Sequence, residues 1–184
     1  MTTKLKFPLV TLALVALTSA FAVHAAAGTP SEAGSAAGVS AHLLPFKGTL
    51  EGVHVSRTPL AAPFVFDRFE ASGQATHLGR FELVVESTVN FGARPVQGAG
   101  THTFIAANGD RLVANQTGLS ALVRPGTVLI TEQATVDPDR STGRFAGARG
   151  TFTVERLADA ATGVGGVTAG TFEGAISLAP PSER

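Results

Sequence analysis

Between residues 46 and 178 apolar and polar positions alternate with a period of two, and turn residues interrupt the alternation at intervals typical of antiparallel barrels. The pattern predicts eight strands, at about 46–55, 67–77, 80–91, 99–107, 111–121, 126–137, 149–157 and 167–178, with Asn108-Gly109-Asp110 as a hairpin turn. It is clearest over 80–91. There Phe81, Leu83, Val85, Val89 and Phe91 share one face, while Arg80, Glu82, Glu86, Thr88 and Asn90 share the other. Phe172, Gly174, Ile176 and Leu178 repeat it. Glycine or proline breaks almost every window in which a long helix would have to form. The expected fold is therefore all-β. Eight strands with one apolar face close into a calycin-like, up-and-down antiparallel barrel whose lumen takes side chains or one small ligand. A two-sheet sandwich is the alternative architecture.

In an up-and-down barrel successive connections fall at alternate ends. One end receives Arg57 to Pro63, Gly92-Ala93-Arg94-Pro95 and Thr162 to Gly166, the longer, proline-stiffened loops of a mouth. The other receives Leu78-Gly79, the 108–110 hairpin and the stretch Ser141-Thr142-Gly143-Arg144-Phe145-Ala146-Gly147-Ala148-Arg149-Gly150. In that stretch Gly143, Gly147 and Gly150 let the backbone coil around one large apolar residue, Phe145, beside Arg144. It is read as a plug that closes the barrel opposite its mouth. This glycine-rich turn, with the upstream segment Gly73-Gln74-Ala75-Thr76-His77-Leu78-Gly79-Arg80-Phe81, resembles the signature of allene oxide cyclase and dirigent-type barrels, including small secreted bacterial members of that superfamily. The resemblance implies the barrel fold across about residues 45–178, and a homodimer or homotrimer, without implying a reaction.

The segment before the alternating region has a different character. Lys4 and Lys6, an apolar run from Leu9 to Val23, and Val23-His24-Ala25 make residues 1–25 an expected secretory signal peptide. Small, aperiodic residues at 26–41 read as a disordered linker, leaving 42–180 as one barrel domain. The expected location is periplasmic or extracellular, without membrane insertion of the mature chain. There are no cysteines, so export is not accompanied by disulfides and thiol catalysis is excluded. Loss of the signal removes two of fourteen basic residues and no acid, leaving a formal net charge of −2 with arginines scattered singly, which argues against nucleic acid. The chain has no Trp or Tyr to make a sugar or base platform. A G-x-S-x-G elbow, a phosphate loop and a dinucleotide fingerprint are all absent, and no cofactor is expected.

Candidate chemistry rests on polar residues that share parity with apolar neighbours. His54 follows Phe46, Leu50 and Gly52; His102 precedes Phe104 and Ala106; His77 follows Phe69, Ala71 and Ala75; Glu132 lies between Ile130 and Ala134. Three histidines and a carboxylate suit a transition metal, but the topology separates His77 from the others, so no metal site is expected. His77 is expected to hydrogen-bond loop backbone, and Arg80, Arg144 and Arg149 to pair with acids or cap carbonyls. His54, Phe91, His102, Phe104 and Phe172 are the expected ligand-binding residues. Glu132, desolvated in an apolar lumen, is expected to have a raised pKa and to be the one candidate acid or base. Three functions are compatible with this pattern: a barrel that binds a small apolar molecule; a cyclase or isomerase steering a reactive apolar intermediate; and a structural envelope protein. An open lumen containing Glu132 would favour the enzyme, an open lumen without a polar pair the binder, and a lumen filled by Phe81, Phe104 and Phe172 the structural protein.

Overall fold

A computed structural model describes residues 42–179, so the expected signal and linker lie outside the described residues. Within them the chain forms eight strands: β1 Leu44–Pro59, β2 Phe64–Ala75, β3 Gly79–Asn90, β4 Val96–Ala106, β5 Arg111–Arg124, β6 Thr127–Val136, β7 Arg149–Asp159 and β8 Val167–Ser177. Each pairs antiparallel with the next, and β8 closes on β1, giving a closed barrel in sequence order. This is the expected architecture, and the sandwich is ruled out. Closure leaves no strand edge, so the backbone is satisfied around the whole circumference.

The strands extend farther toward the mouth than the alternation indicates. β1 runs to Pro59 and β5 to Arg124, so the β1–β2 connection shrinks to 60–63 and the β5–β6 connection to Pro125-Gly126. Bulges account for the difference. Val55 is an extra residue between the His54–Phe69 and Ser56–Arg68 pairs, and Val123 is extra between Leu122 and Arg124. Each bulge flips the parity of the residues after it.

The closed end is stoppered as expected. A single 3-10 turn, Gly143–Phe145, places Phe145 fully inside. Gly143 has φ +61, and a Cβ there would run into the Asp110 carboxylate, so glycine is required by both backbone and space. The plug is tied to β5 by the Thr142 amide donating to Arg111 O (2.8 Å) and the Val113 amide donating to Ser141 Oγ (3.1 Å). Arg144 donates to Leu78 O (3.2 Å), approaches Asp110 (3.6 Å) and lies over the Phe145 ring, combining the two expected roles. Two other expectations fail. Arg80 and Arg149 are exposed and make no ion pair among the described residues. His77 does not continue the inward parity of β2. The strand stops at Ala75, and His77 sits exposed at φ +63 in the turn, where it makes no side-chain hydrogen bond to described loop backbone.

Candidate functional site

Inward-facing residues divide the lumen into two halves. Next to the plug, Phe46, Phe81, Phe104, Phe152 and Phe172 pack ring against ring, with centroids 5.0–5.9 Å apart in edge-on and tilted pairs. Such pairs each add about 0.5–1.5 kcal/mol beyond the area they bury. Phe104 and Phe172 therefore face the lumen as expected but belong to packed core, and neither lines an open cavity.

Above the phenyl cluster the lumen turns polar. His102, wholly enclosed, lies over Phe152 (6.1 Å, near-parallel) and against the edge of Phe104. Glu132 is gripped from β7 by Arg156, whose Nε and Nη2 donate to its two carboxylate oxygens at 3.1 and 3.0 Å. Arg156 Nη1 reaches Thr168 Oγ1 at 3.4 Å, and the guanidinium lies 4.5 Å from the centre of the Phe69 ring. Gly118 makes room for this arrangement, because a Cβ there would meet Glu132 Cγ at 2.8 Å. His102 Nε2 stands 3.4 Å from Glu132 Oε2, within ion-pair range but without hydrogen-bond geometry, so both ring nitrogens lack a hydrogen-bond partner.

These contacts overturn the expected behaviour of Glu132. Burial alone pushes a carboxyl's pKa up, but the Arg156 guanidinium, helped by His102, outweighs it and holds the Glu132 carboxyl well below the usual carboxylate range. Glu132 is an anion held by a cation and is not a proton donor. The expectation failed because the partner lies on another strand, brought alongside only by the pairing of Ile130 with Arg156.

A second polar cluster lies nearer the mouth. Asp67, buried, accepts from Arg57 Nε and Nη2, both at 2.7 Å. His54 stacks on Phe69 (4.5 Å), with Nε2 3.0 Å from Ser56 O and 3.3 Å from Asp67 Oδ1. The backbone of His54 is pinned by the β7–β8 loop, donating to Gly166 O and accepting from the Gly165 amide. Across the lumen Gln116 Nε2 donates to Ser87 Oγ (2.7 Å).

Between these clusters and the rim lies an open cavity of about 310 Å³. Its floor includes His54, Asp67, Ser87, Gln116, Glu132 and Arg156, and its walls include Val89, Val96, Val128, Ile130 and, at the mouth, Phe91 and Leu122. It opens opposite the plug. Of the expected ligand-binding residues, His54 and Phe91 line it together with Glu132, whereas His102 lies below its floor, against a second space of about 10 Å³. Among the described residues no three His, Cys, Asp or Glu side chains converge in a metal-binding group.

Sequence reasoning missed four residues whose parity was visible: Asp67 beside Phe69, Ser87 between Val85 and Val89, Gln116 after Leu112 and Ala114, and Arg156 between Val154 and Ala158. Arg57 could not be found that way, since the Val55 bulge turns it inward against the register. No family model, curated protein or solved structure matches the chain. The fold and site define a closed eight-stranded barrel with a half-open lumen.

Proposed function

We propose that the barrel binds a small, largely apolar molecule bearing one uncharged polar group, taken in through the mouth half of the lumen. The observation that carries this reading is the cavity of about 310 Å³, at the lower end of the size range of small-molecule sites, with aliphatic walls and a polar floor. The floor's charges are already matched: Arg156 with Glu132, and Arg57 with Asp67. An anionic ligand would find no unpaired cation there, whereas a hydroxyl or similar neutral group suits the Ser87–Gln116 pair. We place the protein beside the allene oxide cyclase and dirigent-type barrels as part of the same proposal, with export as the corresponding location. A binding role suits the site better than catalysis, because Glu132 is committed to Arg156.

Titration with a neutral naphthylamine fluorophore, whose emission rises in an apolar site, tests the reading. Saturable binding at about one probe per chain is expected, because apolar surface leaves water on both partners. Competition by 1-octanol should exceed competition by octanoate. Absence of saturable binding overturns the proposal.

A further inference from the structure

The exposed large apolar side chains are not spread evenly over the barrel. Leu43 is near the plug end, and Val53, Val55, Phe64, Leu119, Leu157 and Val167 stand on the strands of the mouth half, while each of the four mouth connections presents at least one: Leu60 between β1 and β2, Phe91 between β3 and β4, Leu122 and Val123 at the β5–β6 hairpin, and Val164 between β7 and β8. Leu122 is 69% exposed, and Val123 and Val164 are each 52% exposed. No one segment carries this pattern, because the four connections meet only when the barrel closes. A rim of apolar tips around an opening marks a surface that meets something apolar.

The charges beside those tips are mostly positive. Arg94 and Arg124 are exposed on the rim and have no acidic partner among the described residues; Arg94 donates to Phe91 O and Ala93 O, and Arg124 to Thr127 Oγ1. Of the rim's acids, Asp67 is buried under Arg57, and Asp159 is one remaining anion, held by the amides of Ala161 and Thr162 and by the Thr162 hydroxyl. The plug end carries both signs, with Asp110, Asp137 and Asp139 among Arg80, Arg111, Arg140, Arg144 and Arg149, but it lacks the ring of apolar tips.

We propose that the mouth rim docks on the surface of an anionic phospholipid bilayer, with Leu60, Phe91, Leu122, Val123 and Val164 entering the headgroup boundary and Arg94 and Arg124 meeting lipid phosphates. Charge complementarity selects this occupant over a second copy, since two mouths face to face would bring together two rims on which unpaired arginines outnumber the one unpaired acid, Asp159. The barrel docks without spanning. Its outer face carries Glu51, Glu70, Glu82, Glu155 and Glu173, where a transmembrane barrel presents a continuous apolar band. Docking places the cavity opening against the phase in which an apolar molecule is dissolved. The inference itself rests on the rim and does not require the lumen to bind anything.

Co-sedimentation of the full chain with large unilamellar vesicles tests it. Vesicles of phosphatidylcholine with phosphatidylglycerol should pellet about tenfold more protein than phosphatidylcholine alone, with the excess lost in high salt. The double variant Leu122→Asp, Val164→Asp should lower binding to the mixed vesicles by about tenfold, and Arg94→Gln with Arg124→Gln should remove the preference for anionic lipid. Leu43→Asp, at the other end, should change nothing. All variants share one N-terminus, so differences between them report the rim. Equal sedimentation of wild type and the Leu122, Val164 variant overturns the proposal, as does equal binding to both vesicle types. Self-association that the rim variant abolishes would assign the surface to a second copy and overturn it as well.

Discussion

The two halves of the lumen face the same way, lie on the same eight strands and share the same alternation, yet one is solid and the other open. In the plug half five phenyl rings and Phe145 fill the space. In the mouth half the corresponding inward positions include Gly98, Gly118, Ser87, Ser120 and valines, and a cavity of about 310 Å³ remains. The cross-section of an eight-stranded barrel is set by strand number and tilt, so side-chain volume decides whether a level is core or pocket. The boundary between the halves is polar: His102, Glu132 and Arg156 stand where the cluster of five phenyl rings ends and the cavity begins. A charged pair at that level would be costly if it were unpaired, and each member makes the other tolerable.

Truncation should separate the halves most clearly. Phe104→Ala removes a fully buried ring touching Phe46, Phe81, Phe152 and Phe172. It should destabilise the fold by up to about 5 kcal/mol, because the barrel wall cannot collapse onto the space left behind. Denaturant unfolding measures this. A loss below about 1 kcal/mol would mean that the plug half is loosely packed after all.

Breaking the boundary pair should have the next largest effect. Arg156→Met leaves the Glu132 carboxylate buried without a cation and should cost about 3 kcal/mol near neutral pH. Adding Glu132→Leu should restore much of that loss, since an apolar pair of similar volume removes the uncompensated charge. The pH dependence supplies an independent sign. In the wild type Glu132 has a folded-state pKa below its unfolded value of about 4.3, so its contribution is present above that value and lost as pH falls below it. In Arg156→Met burial dominates and raises the folded-state pKa, so acidification toward about pH 5 should relieve the defect. Unfolding midpoints at about pH 7, pH 5 and pH 3 check both slopes, the last two for the wild type and the first two for the variant. A variant that weakens further on mild acidification would show that Glu132 is not the group responsible.

How far each half could be anticipated depends on the information that alternation encodes. It fixes which side chains face the lumen, and so the strand order, closure, the plug around Phe145 and the inward placement of His54 and Glu132 were all legible. It does not fix the level of a residue along the barrel axis. Phe104, Phe172 and Phe91 had equal standing in the sequence, yet the first two are packed core and Phe91 lies at the rim. Nor does it show partners on neighbouring strands. Glu132 looked like an isolated acid until register set Arg156 beside it, and Arg57 was hidden by one extra residue in β1. The rim was invisible for a related reason, as its apolar tips come from four separate connections.

The smallest expected change in stability is the sharpest test of the comparison. If volume alone separates pocket from core, adding a ring to the mouth half should convert it. Gly98 on β4 is suited to this, because a Cβ there would find only Val89 Cγ2 at 3.8 Å and Thr88 O at 3.9 Å, ordinary contact distances. Gly98 shares the inward parity of His102 and Phe104, so the new side chain of Gly98→Phe should enter the cavity and lie against Val89. A phenylalanine also suits a strand better than glycine, so stability should be unchanged or rise by up to about 1 kcal/mol. Probe binding in the lumen should nevertheless disappear, while vesicle docking by the rim persists. Thermal unfolding and the fluorescence titration read the two effects separately. If Gly98→Phe binds the probe as well as wild type, the site lies outside the lumen, on the outer groove that Gly98 also borders with Phe64, Ala99 and Leu119.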